Sequence, residues 1–91
     1  MSSADQHKSS ESNANRTLDA IGLKCPLPVL KTRRALATLD AGAMLVVVAD
    51  DPMAAIDIPH LVRELRDELL AASEEGGRLR FVIRKARGAS G

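Results

Sequence analysis

The chain has 91 residues, 45% of them apolar and 27% charged, with a formal net charge of +1. That length bounds it to one small domain. Near-neutral charge, with Phe81 the only aromatic residue, excludes the basic stacking surface on which nucleic-acid binders rely, so direct nucleic-acid binding is not expected. No apolar run approaches the roughly 18 residues of a membrane helix, so no membrane association is expected either.

Residues 1–15 carry Ser, Asn, Gln6 and His7 and no aliphatic side chain larger than Ala after Met1. Such a segment buries too little apolar surface to offset its ordering entropy, which predicts a disordered tail. It also lacks the continuous apolar core of a secretory signal. The domain is expected over residues 16–86, with 87–91 a flexible C-terminus. Cys25 stands alone, and an unpaired cysteine fits a reducing cytoplasm better than an oxidising compartment.

Arg16 to Ile21 alternates, with Leu18 and Ala20 on one face and Thr17 and Asp19 on the other, which predicts a first strand. Gly22 and two prolines end it. A helix is expected from Pro26 to about Leu39, with Val29, Leu30, Leu36 and Leu39 as its apolar stripe and Lys31, Arg33 and Arg34 off it. Gly42 suits a left-handed turn after that helix. The valine-rich run Met44 to Ala49 has the length of a central strand. Its apolar character on both faces fits either a small central strand or a dimer or partner patch.

After Asp50-Asp51-Pro52, a helical turn over Met53 to Ile56 is expected, and then a main helix beginning near Pro59, a first-turn position that proline tolerates. Ile58, Leu61, Val62 and Leu65 give it an apolar face, and His60 falls on its exposed start. Leu69 to Ser73 and Leu79 to Lys85 flank Glu74-Glu75-Gly76-Gly77, and a Gly-Gly pair between strands signals a hairpin. Leu79, Phe81 and Ile83 face one way, opposite Arg78, Arg80, Val82 and Arg84; those arginines could form a basic strip on the open sheet face, and a solvated strand face fits them better. The order βαβαββ predicts an α+β fold: a two-layer sandwich of a four-stranded mixed sheet with two helices on one face.

Cys25 sits in Lys24-Cys25-Pro26-Leu27-Pro28, between a strand and a helix. A lone cysteine is most often a small buried hydrophobe. Three local features oppose that reading. The position is a helix start, expected to be the N-cap, where free N–H groups stabilise a thiolate. Pro26 and Pro28 lack N–H groups and stiffen the first turn, which leaves Leu27 and Val29 as the expected donors toward sulfur. Lys24, Lys31, Arg33 and Arg34 should lower the thiol pKa.

The chain has no second cysteine for dithiol redox chemistry, and His60 is the only histidine of the expected domain. One Cys and one His cannot complete a closed zinc site, so no metal is expected, and a hydrolase would need a base beside the thiol. Persulfide transfer needs neither: the thiolate takes sulfur from a donor persulfide and yields it to an acceptor thiol. No cofactor is expected beyond that covalent sulfur on Cys25.

Asp19 could orient the cysteine loop, or could be an ordinary exposed strand residue. Asp51 and Asp57 are expected to cap turns or helices. The competing function is a non-catalytic regulatory or RNA-binding module that uses the open sheet face.

Gly22-Leu23-Lys24-Cys25-Pro26-Leu27-Pro28-Val29-Leu30-Lys31, together with Leu18-Asp19, Arg33-Arg34, Asp51-Pro52, Asp57-Ile58-Pro59 and the closing Arg80 to Lys85, resembles the TusA-like (SirA-type) sulfur carriers. The resemblance covers essentially Arg16 to Lys85. It implies a βαβαββ two-layer sandwich, similar to the C-terminal domain of a translation initiation factor. It also implies a carrier rather than a stand-alone enzyme, with Cys25 bearing a persulfide from a cysteine desulfurase or rhodanese-like donor. The acceptor would be a relay protein for tRNA thiolation, molybdenum-cofactor synthesis or sulfur oxidation. Lys31, Arg33 and Arg34 become candidates for docking on an acidic partner. Many relatives have Gly-His where this chain has Arg66-Asp67, and some tRNA-thiolation carriers have glutamate at the position of Leu27.

Overall fold

The computed structural model describes residues 15–86. The tail expected over residues 1–15 and the C-terminus at 87–91 therefore lie outside the described residues, except for Asn15, which is the first residue of a strand. The elements follow in the expected order: β1 (Asn15–Ala20), α1 (Leu27–Ala37), β2 (Met44–Ala49), α2 (Ala54–Leu65), β3 (Glu68–Glu75) and β4 (Arg78–Arg84). The sheet runs β1-β2-β4-β3, with β1 parallel to β2 and β4 antiparallel to both β2 and β3. This is the expected four-stranded mixed sheet in a βαβαββ α+β fold.

Central placement explains the β2 sequence. Leu45, Val47 and Ala49 are fully buried toward the helices, whereas Val46 and Val48 are half-buried on the opposite face. Leu79, Phe81 and Ile83 of β4 face the same core, and Leu36, Leu39, Ile58 and Leu61 close it from the helical side. Each large aliphatic side chain buried there contributes about 1.5–3 kcal/mol.

The first helix is shorter than expected and presents a different face. Pro28, Thr32, Ala35 and Leu36 are buried, while Leu30 is 50% exposed. Thr32 belongs to the buried face because its hydroxyl donates to the Pro28 carbonyl at 2.8 Å, satisfying its polar group within the helix.

The second helix is one continuous element from Ala54, with Pro59 inside it rather than at its start. Pro59 has no N–H to donate, which removes one helical hydrogen bond. Ala54, Ile58, Leu61 and Val62 are nonetheless all buried on a single stripe spanning the proline, and that burial keeps the helix continuous.

It ends at Arg66 in the left-handed region, φ 63 and ψ 30. There Arg66 N–H reaches the Arg63 carbonyl at 3.1 Å and Asp67 N–H the Val62 carbonyl at 3.0 Å, a Schellman closure. Asp67 Oδ1 also accepts Ala86 N–H at 3.0 Å, tying this turn to the segment after β4.

β3 extends through Glu74 and Glu75, so the hairpin turn is Gly76-Gly77 alone. Both glycines have positive φ, 58 and 83, the type I′ geometry whose twist allows strands to pair right up to the turn. β3 is an exposed edge strand, irregular between Leu69 and Ala71, and Glu68 and Glu75 occupy its ends. Charge and irregularity both discourage edge-to-edge pairing.

Candidate functional site

Parallel β1 and β2 have their C-termini at the same end of the sheet, so the loops that follow them meet there. The first carries Cys25 and the second carries Asp50 and Asp51. Within the first, Asp19 Oδ1 accepts Ile21 N–H at 3.0 Å, and Leu23 N–H reaches the Ala20 carbonyl at 3.1 Å. The second loop then fastens the first. Asp50 Oδ1 accepts Gly22 N–H at 2.9 Å, and Asp51 Oδ2 accepts the Cys25 N–H. Asp51 is only 8% exposed, and its other oxygen accepts Met53 N–H at 3.2 Å, so one carboxylate holds the starts of both helices.

These bonds fix the ionisation of Asp51. The Cys25 and Met53 N–H groups hold its carboxyl below the ordinary aspartate range, with a smaller contribution from the Lys24 charge and against the opposing effect of burial. Lys24 thus acts on the aspartate that anchors the cysteine.

Cys25 itself is exposed. It is not the N-cap: that position falls to Pro26, after a cis Cys25–Pro26 peptide bond. Leu27 N–H, expected to face the sulfur, bonds the Lys24 carbonyl at 2.8 Å instead. The partner of the sulfur is a carboxylate, with the thiol donating to Asp57 Oδ2 at 3.4 Å.

The thiol pKa is therefore raised, not lowered as the cationic neighbours in sequence suggested. The hydrogen bond to Asp57 is the main cause, followed by desolvation and the negative charges of Asp57 and Asp51. A thiolate could not donate to Asp57 and would stand beside that charge, so the neutral form is preferred.

The helices run side by side in the same direction, with Cys25 against Asp57 at one end and Arg33 against Glu64, 3.4 Å apart, further along. Between them lies an open groove of about 280 Å³, lined by Val29, Arg33, Asp57, His60, Leu61 and Glu64. His60 is exposed in mid-helix, one turn beyond Asp57, rather than at a helix start.

The remaining expected residues are distributed as follows. Pro28 is buried beneath the loop, and Leu27 is 44% exposed beside it. Lys31 and Arg34 are exposed on α1, and Arg33 is engaged with Glu64. Asp19 serves the loop through Ile21 and makes no hydrogen bond to Cys25 itself. Asp50, Asp51 and Asp57 were not expected at the site, although Asp51-Pro52 and Asp57-Ile58-Pro59 stood out in the sequence. Among the described residues, no three His, Cys, Asp or Glu side chains form a cluster suited to a metal ion.

The fold is similar to that of a SirA-like protein from Desulfitobacterium hafniense, with a TM-score of 0.70 and 24% identity over 79% of this chain and 99% of the other. At that identity the likeness speaks to architecture. The sequence itself matches the family described as Sulfurtransferase TusA across residues 16–85, a span that contains the strand, loop and helix around Cys25 and both anchoring aspartates. The chain belongs to the TusA family of sulfurtransferases.

Proposed function

We propose that this protein is a sulfur carrier that receives sulfur on Cys25 as a persulfide and relays it to an acceptor protein. The observation that carries the reading is an exposed cysteine whose backbone is anchored by a buried aspartate from a neighbouring loop. That arrangement presents the sulfur to a partner while limiting the motion of the residue that bears it.

In uptake, the Cys25 thiolate attacks the outer sulfur of a donor persulfide. The Cys25 Sγ–S bond forms, the donor's S–S bond breaks, and the donor leaves as a thiolate that takes up a proton. Delivery is the same exchange with an acceptor thiol as the attacking group, so sulfur moves without net oxidation. Neither step needs a base or metal in this chain.

The donor is a cysteine desulfurase or a rhodanese-like protein, and the acceptor is the next member of a sulfur relay. Exposed Lys31 and Arg34 on α1 supply a cationic flank for docking, with Arg33 beside them paired to Glu64. An RNA-binding role for the open sheet face gains little support: Arg84 is paired with Glu68 at 2.8 Å, and Glu75 lies opposite Arg78.

Intact-protein mass after incubation with a desulfurase and cysteine tests the reading. A reducible gain of one sulfur atom, absent in Cys25→Ala, is the expected result. No adduct with several competent donors would overturn it.

A further inference from the structure

Three elements bring charge or titratable groups toward the sulfur. The loop of Cys25 brings Lys24, the loop after β2 brings Asp51, and α2 brings Asp57 with His60 one turn further along the groove. These groups have different targets. Asp51 is occupied by the Cys25 and Met53 N–H groups, and Lys24 by its effect on Asp51. Among the described residues, Asp57 Oδ2 is the one hydrogen-bond partner of Sγ, at 3.4 Å.

We propose that Asp57 is a positioning residue for sulfur transfer, whose carboxylate accepts the Cys25 S–H hydrogen bond and holds the sulfur-free carrier in its unreactive thiol form. This rests on the carrier reading above. The thiolate is the nucleophile, so a group that bonds only the protonated sulfur restrains reaction. Asp57 is not a base for the step. Ordinary aspartate and cysteine differ by about 4–5 pKa units, so the proton stays on sulfur.

The restraint is specific to one state. Once sulfur is loaded, Sγ lies within an S–S bond and carries no proton, so the Asp57 hydrogen bond to Sγ is gone. The empty carrier is held quiet while the loaded one is not. A donor relieves the hold by placing a cation against Asp57. Cys25 then gives up its proton, which ends on the donor's departing thiolate, so Cys25–SH and donor–S–SH become Cys25–S–SH and donor–SH.

The pH profile of Cys25 alkylation by iodoacetamide tests this, with thiolate absorbance as a second readout. The wild-type midpoint should lie above that of an ordinary cysteine. Asp57→Asn should lower it and speed alkylation at neutral pH by about threefold or more, while Asp57→Glu should keep it raised. A wild-type midpoint at or below the ordinary value overturns the proposal without any variant. An unchanged midpoint in folded Asp57→Asn overturns it as well, since a merely structural role would move thermal stability and not the midpoint. Neither measurement involves a transferred sulfur atom, so failure here leaves the mass experiment on Cys25 standing, while failure there removes the carrier reading and leaves the measured midpoint and its response to Asp57→Asn unchanged.

Discussion

Two turns in this molecule are held in opposite ways. The β3–β4 hairpin closes through Gly76 and Gly77 alone, both at positive φ, and its geometry is entirely local. The cysteine loop also has a positive-φ glycine, Gly22 at 85, but its shape is completed by carboxylates from elsewhere in the chain. Asp50 and Asp51 reach it across 28 and 26 residues. The hairpin can therefore fail only through its backbone, whereas the loop can fail through a change of protonation. The loop that carries Cys25 is thus more open to electrostatic control than the hairpin.

Straining the hairpin should separate the two turns most clearly. At Gly76 an added Cβ meets no neighbour within 4 Å, so the cost of a substitution is conformational rather than steric crowding. Gly76→Val should cost about 1–2 kcal/mol through the left-handed backbone it must adopt. Chemical denaturation should record that loss while the alkylation profile of Cys25 stays unchanged. A shifted profile would mean that the sheet couples the two ends more tightly than their separate hydrogen bonds suggest.

Acid should act on the other turn. The Asp51 pKa is lower in the folded protein, so its contribution is complete above the ordinary aspartate value near 3.8 and is lost as pH falls through the lower folded value. Amide exchange followed by NMR, corrected for intrinsic rates, should show Cys25 and Met53 losing protection in that window. The Gly76-Gly77 turn should not respond, because its bonds involve no titratable side chain. Equal loss in both regions would point to global unfolding and sink the claim of a separately titrating loop.

The same contrast explains what could be read from the residues in order. The β4 alternation, the buried run of β2 and the Gly-Gly turn are visible because each depends on neighbours in the chain. Pro59 reads as a helix start by the local rule for proline, whereas the burial of Ala54 and Ile58 ahead of it, set by tertiary packing, carries the helix through that position.

The ionisation of Cys25 is hidden in the sequence for a related reason. Its sequence neighbours Lys24, Lys31, Arg33 and Arg34 are cations, but its spatial neighbour is a carboxylate 32 residues away. Two aspartates placed near prolines were the available signal, and capping explains such aspartates equally well in sequence.

The smallest expected effect concerns the end of α2. Arg66 holds φ 63 and ψ 30, a conformation that costs a residue with a Cβ and costs glycine little. The Schellman bonds at this turn are made by backbone groups, so they survive a change of side chain. Glycine adds freedom to the unfolded chain, which removes part of the gain. Arg66→Gly should therefore stabilise the protein by about 0.5–1 kcal/mol, raising the melting temperature by a few degrees in a domain of this size. Cys25 reactivity should not follow, because its loop is fastened by Asp50 and Asp51 beyond the other end of α2. A lower melting temperature would show that the Arg66 side chain stabilises the fold by more than its backbone strain costs.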